Sequence, residues 1–190
     1  MKIVVMRHGQ PEMDIDSLKV EKLSPQGVGE IVEQYERTDL NPDSEVPQQS
    51  LLVAESCSFA ISSKLPRALS SIQKLGLEDR AVAFDCFNES SLPYLNWGKP
   101  RASFFTWCLL FRTAWFLGFS RNGESISDAK RRACKCADLV FQKLETHESL
   151  LVLGHGIMNR LLYRELKRSG WIEKESTGGS YWSYKVFEKL

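Results

Sequence analysis

Lys2-Ile3-Val4-Val5-Met6-Arg7-His8-Gly9-Gln10 is the stretch that decides how the chain folds. An apolar run ends abruptly in an arginine, a histidine and a glycine. Short apolar runs of this kind read as a buried strand, and Gly9 supplies a sharp turn after it. In open α/β sheets, ligands gather outside the carboxyl ends of the strands. Arg7 and His8 are expected at such an end. Taken alone, the stretch also fits a basic pair in a loop, so the rest of the chain has to decide.

The same arrangement recurs downstream. Phe59-Ala60-Ile61-Ser62-Ser63 reads as a second buried strand. It runs into Lys64-Leu65-Pro66-Arg67-Ala68-Leu69, which opens a helix reaching about Leu75, with Gly76 as its stop. Ala81 to Cys86 reads as a third strand, followed by Phe87-Asn88-Glu89. Ser149 to Leu153 reads as a fourth, followed at once by Gly154-His155-Gly156 and a helix from Ile157 to Arg168. Ser24 and Pro25 cap and open an earlier helix to about Arg37. Residues 38–49 read as a loop, and Leu51 to Ala54 is too short to assign. Ala129, Ala133, Ala137, Val140 and Leu144 repeat at helical spacing within a long helix from Ser125 to Thr146. Ser180 to Phe187 reads as a final strand at a sheet edge. Strands alternating with helices imply the α/β class, a three-layer αβα sandwich with a mostly parallel central sheet, as one domain over residues 1–190.

Composition narrows the function. Over 190 residues, 43% are hydrophobic and 26% charged, which fits a soluble globular domain. A formal net charge of +1 gives no reason to expect nucleic acid or an anionic membrane as partner, so any basic site is local. The five cysteines form no Cys-x-x-Cys pair, and there are three histidines, which argues against zinc and for free thiols. Met1-Lys2 leads straight into a strand pattern without a signal peptide, so a cytoplasmic protein is expected. Ala102 to Phe119 is almost wholly apolar, long enough to raise the question of a membrane span. Arg112 interrupts it near the centre, at a cost in a bilayer. It reads instead as buried helix or lid within an insertion at about 90–122.

Arg7, His8, Arg67 and His155 stand at or just beyond strand ends. If those strands are parallel neighbours, the four groups converge on one crevice suited to a compact dianion. The arginine fork donates paired hydrogen bonds to phosphate oxygens. Helix N-termini after Gly9 and Gly156 would add backbone donors. One neutral imidazole can attack phosphorus, and a second can stabilise the transferring group. Glu89, after the third strand, is the candidate acid for the leaving oxygen.

Five motifs occur here in the order found in the histidine phosphatase superfamily, the phosphoglycerate mutase-like proteins. They are Arg7-His8-Gly9, Leu23-Ser24-Pro25-x-Gly27, Ser62-Ser63-x-Leu65-x-Arg67-Ala68, Gly123-Glu124-Ser125 and His155-Gly156. The chain resembles that family over essentially its whole length. The resemblance implies that His8 is the phosphorylated nucleophile, that Arg7, Arg67 and His155 form the phosphate pocket, that Glu89 is the proton donor, and that Gln10 touches the phosphoryl group or substrate. It implies no metal and no cofactor. Pro11, Lys64 and Pro66 depart from the family pattern without removing any of these groups. An Asn-rich mutase loop is not evident after Pro11, which favours phosphatase over mutase. The rival readings are phosphoglycerate mutase-type transfer and a non-catalytic phosphate-recognising module. The expected partner is a small-molecule phosphate ester or a phosphoprotein, with no nucleic acid or membrane. An oligomer stays open, with the apolar insertion as its surface.

The remaining charged and aromatic residues divide by context. Glu124 reads as structural at a helix N-terminus, His147 as a surface residue, and Arg131 and Arg132 as a solvated face from which one could reach the pocket rim. Phe104, Phe105, Trp107, Phe111, Trp115 and Phe116 read as core or lid. Arg101 and Arg112 are candidates for selecting an anionic substrate.

Overall fold

Ile3 and Val5 point to one side of their strand and Val4 and Met6 to the other, and all four are fully buried. A strand apolar on both faces belongs in the middle of a sheet covered by helices on both sides. That is where the computed structural model places it. The structure describes residues 1–189.

In chain order the elements are β1 (Lys2–Arg7), β2 (Lys22–Leu23), α1 (Pro25–Arg37), α2 (Gln48–Glu55), β3 (Phe59–Ser62), α3 (Pro66–Lys74), β4 (Ala81–Ala83), β5 (Ala102–Ser103), α4 (Phe104–Phe116), α5 (Ile126–Leu144), β6 (Ser149–Gly154), α6 (Gly156–Arg168), β7 (Ile172–Ser176) and β8 (Tyr184–Glu188). The main sheet has the order β4-β3-β6-β1-β8-β7, and β2 and β5 form a separate pair. β4, β3, β6 and β1 run parallel, while β8 is antiparallel to both its neighbours.

Two cores flank the sheet. Ile3, Val5, Leu150 and Val152 pack against α5 and α6 through Ala133, Val140, Met158 and Leu162. Val4, Met6, Leu151 and Leu153 pack against α2 and α3 through Ala54, Ala68 and Ile72. This is the three-layer, mostly parallel α/β architecture expected. A third cluster joins α1 to α4, where Val28 meets Phe104, Trp107 and Phe111. The apolar segment is therefore a single helix of which one face is packed, and among the described residues no helix is long and apolar enough to cross a membrane. Local signals set the helix starts: Ser24 Oγ accepts from the Gly27 N–H at 3.1 Å, and Pro25 follows it.

Several expectations need correction. The last strand is not at an edge, because β8 lies between β1 and β7. The edge on that side is β7, whose Ile172-Glu173-Lys174-Glu175-Ser176 lacks a strand-like apolar alternation, and whose charges suit an edge that must not pair further. Residues 48–55 form α2 rather than loop and an unassigned stretch. The third strand stops at Ala83, and Asp85–Phe87 forms a short 3₁₀ turn. No helix follows Gly9, so no helix N-terminus stands there. Gly9 is required by close approach rather than by a left-handed turn. A Cβ on it would run into the Trp182 indole and come within 2.6 Å of Leu40.

Candidate active site

Strand register assembles the site. Arg7 pairs with Gly154 across β1 and β6, and Ser62 pairs with Leu153 across β3 and β6. The next step along each strand continues the alignment: the His8 N–H donates to Gly154 O at 3.0 Å, and the Ser63 N–H to Leu153 O at 3.2 Å. His8, Ser63 and His155 therefore emerge side by side at the carboxyl ends of three adjacent parallel strands. The His8 and His155 ring centroids are 4.8 Å apart.

The hydrogen bonds of His8 fix its tautomer. Its Nδ1 lies 2.6 Å from Gly9 O, and a carbonyl can only accept, so Nδ1 carries the proton. The lone pair then sits on Nε2, where the Arg67 Nε–H donates from 3.3 Å. Burial, then the charge of Arg67, holds the His8 pKa well below its usual value, so the ring is neutral with a free electron pair. Trp182 supports this corner. Its backbone is left-handed (φ 60°), which is costly for a tryptophan, and it is held there by its N–H to His8 O at 3.3 Å, its indole N–H to Ser44 Oγ at 3.0 Å, and Ser50 Oγ to its carbonyl at 2.9 Å.

His155 is fixed in the opposite sense. Its Nε2 lies 2.8 Å from Ser63 Oγ. The Ser63 hydroxyl donates to Asn88 Oδ1 at 2.8 Å, an oxygen that also takes the Lys64 N–H at 2.9 Å. With its proton committed to Asn88, Ser63 must accept from His155, so the neutral ring is protonated on Nε2. Nδ1 is left buried without a partner. Burial first, then the neighbouring His8 and arginines, holds the His155 pKa well below its usual value too.

The two arginines are each held over a tyrosine. Arg67, 1% exposed, lies 4.6 Å over the Tyr35 ring and donates to Tyr35 O at 2.9 Å. Arg7 lies 4.4 Å over the Tyr181 ring and donates to Gly179 O at 2.8 Å, while its Nε is buried without a partner. Burial, then neighbouring Tyr181, raises the Tyr35 phenol to about 12, so the ring under Arg67 is neutral. Two arginines and two histidines thus stand together: Arg7 Nε and His155 Nδ1 lack partners, the His8 Nε2 lone pair is met by Arg67, and both histidines are buried.

Glu89 caps α6. Its Oε1 accepts from the N–H groups of Ser90, Ile157 and Met158 at 3.0, 3.2 and 3.0 Å, and its Oε2 accepts from Ile157 at 3.1 Å. The helix N-terminus after His155 is therefore occupied by a carboxylate of the chain, not left open for a ligand as the sequence suggested. Arg132 braces the segment carrying Glu89. It donates to Cys86 O at 2.7 Å and Asn88 O at 2.6 Å, and pairs with Glu124 through Nε at 3.1 Å. Arg132 is thus no solvated face, whereas Arg131 is, pairing with Asp128 at the surface. Glu124 is structural, as expected.

Two cavities meet at Arg7 and Glu89. One, of about 490 Å³, lies toward α1 and α4 and also contains Tyr35, Arg67, Arg112 and Tyr181. The other, of about 620 Å³, is bounded by Asn159, Arg160, Ser176 and Lys185. Gln10 lines neither, and its side chain is exposed, because its backbone is turned away by bonds to Ser44 and Asn41. Arg101 is likewise exposed and lines neither. Arg112 does face the first cavity. Tyr35, Tyr181 and Asn88 were not legible as site residues in the sequence. The one usable sign was Tyr181-Trp182, an aromatic pair just before a strand adjoining β1.

The family model described as the histidine phosphatase superfamily (branch 1) matches residues 3–186. The chain belongs to this superfamily. Solved structures share its fold. A Mycobacterium tuberculosis open reading frame product is 16% identical with a TM-score of 0.63, covering 100% of this chain and 91% of its own. A mutant phosphoserine phosphatase from Entamoeba histolytica, bound to phosphoserine, is 17% identical with a TM-score of 0.57, covering 88% and 80%. A Thermus thermophilus protein is 19% identical with a TM-score of 0.56, covering 98% and 92%. At these identities they speak for the fold. No curated protein matches the sequence significantly. Membership of the histidine phosphatase superfamily supports a phosphatase or phosphotransferase.

Proposed function

We propose that this histidine phosphatase hydrolyses a small phosphomonoester through a phosphohistidine on His8, without a metal. The observation that carries the reading is the neutral His8 ring with its lone pair on Nε2, set by Gly9 O and met by Arg67. Arriving phosphate exchanges that Arg67 contact for bonds to its own oxygens. Arg7 and the buried Nδ1 of His155, protonated when the dianion is present, take further oxygens. Nε2 then attacks phosphorus in line as the bond to the leaving oxygen breaks. Glu89 serves as the acid that passes a proton to that oxygen. In the second step Glu89 takes a proton from water, whose oxygen attacks phosphorus while the P–N bond breaks. Inorganic phosphate leaves and His8 is regenerated.

The test is hydrolysis of a generic aryl phosphate with chelator present, with acid and base stability of any trapped phosphoenzyme. A phosphoramidate survives base and is lost in acid. Activity and label should both vanish in His8→Ala. Full activity in that variant, or dependence on an added metal, would sink the reading. Isomerisation of a phosphoglycerate without net phosphate release would show a mutase instead, and tight phosphate binding with no phosphoenzyme would show a binding module.

A further inference from the structure

The two cavities that meet at Arg7 and Glu89 differ in chemistry, and only the one toward α1 and α4 also contains Arg67. Arg67 touches the attacking nitrogen of His8. In-line transfer sends the leaving group away from that nitrogen, and of the two cavities the one that Arg67 lines is the one joined to His8 by a direct contact. Beyond its polar end this cavity is walled by Ile15, Val32, Leu92, Phe104, Phe105 and Leu109. Its polar wall groups are mostly spoken for. Ser91 Oγ donates to Glu36, and Arg112 lies 4.9 Å over the Trp115 ring with Nη2 donating to Ser90 O at 3.1 Å. Arg112 Nη1 is buried without a partner, as is Arg7 Nε at the polar end. A polyhydroxylated leaving group would lose water there and find few partners, which is costly for each hydroxyl.

We infer that the substrate's leaving group is an apolar alcohol, aryl or branched alkyl, carrying at most one acceptor for Arg112, rather than a sugar or a short hydroxy acid. An engineered cavity of ~150 Å³ holds one benzene, so 490 Å³ takes the phosphoryl group and a leaving group of about one to two rings. The inference rests on the phosphatase reading for the direction of the leaving group, while its binding test does not need turnover.

Two non-hydrolysable probes separate these. Benzylphosphonate should bind the wild-type protein at least about 30-fold more tightly than 2,3-dihydroxypropylphosphonate, measured by calorimetry. Benzyl phosphate should exceed glycerol phosphate in kcat/KM by a like factor; both leaving groups are simple alcohols, so the difference reads the cavity. Leu109→Asp, at a position 69% exposed and outside the reacting groups, should cut the preference to under about 5-fold. Preference in binding without turnover or phosphoenzyme would uphold the apolar cavity and remove the phosphatase reading. Turnover with equal or reversed preference would overturn the inference and leave that reading intact. Binding of neither probe would overturn both, and a preference unmoved by Leu109→Asp would overturn the assignment to this cavity.

Discussion

Arg67 holds the lone pair of His8: its Nε–H points at His8 Nε2 from 3.3 Å, and its Nη1 is anchored 2.9 Å from Tyr35 O. The guanidinium therefore has one end fixed to the protein and the other resting where phosphorus is to be attacked. Lysine keeps the charge but has no planar fork to do both. Arg67→Lys is expected to lower kcat/KM on an aryl phosphate by about 10²–10³, or roughly 3–4 kcal/mol, the usual loss for one fixed transition-state donor. A change under threefold would show that Arg67 serves only as charge.

The two site histidines tie stability to pH. Burial holds both well below the ordinary 6.5, so the folded state keeps them neutral while the unfolded chain takes up protons. Below pH 6.5 the unfolded state binds more protons, and stability falls as pH falls toward the depressed folded values. The slope is up to about 1.4 kcal/mol per pH unit for each histidine. The Tm should drop between pH 7 and pH 5, and His8→Gln/His155→Gln should drop less steeply. Equal slopes would place the proton uptake elsewhere.

Gly9 has no room for a side chain, since a Cβ meets Trp182 and Leu40. Gly9→Ala is expected to cost about 1–3 kcal/mol in denaturant unfolding, the range for overpacking, and to reduce kcat by displacing the adjoining His8. Gly98→Ala, where nothing lies within 4 Å, is the matched control and should leave both unchanged.

Arg132 reaches Cys86 O, Asn88 O, Ser90 Oγ and the Glu124 carboxylate around the segment that carries Glu89, but touches none of the reacting groups. It acts by positioning. Arg132→Lys keeps a charge for Glu124 while losing the Nη1 bonds to Cys86 O and Asn88 O. It is expected to lower kcat by ~10- to 100-fold, as small misplacements of a catalytic group do, while phosphate affinity stays within about threefold. Equal losses in kcat and phosphate affinity would mean that the whole pocket, not Glu89 alone, had moved.

By itself the sequence determined the layers and the strand ends. Unbroken apolar runs in β1 and β6, the Ser24-Pro25 start of α1 and the ordered motifs are local signals, each legible within a few residues. They named His8, Arg7, Arg67, His155 and Glu89 because a strand end followed by a glycine or a helix start has only one place to be. Only the tertiary structure decided what those groups touch. Arg67 reaches His8 across 59 residues, His155 reaches Ser63 across 92, and Arg7 reaches Gly179 across 172. Periodicity tells which face of an element is buried, not which distant backbone carbonyl or ring lies against it. For that reason Gln10 fell outside the pocket, Tyr35 and Tyr181 came to lie under the arginines, and Glu89 closed the N-terminus of α6.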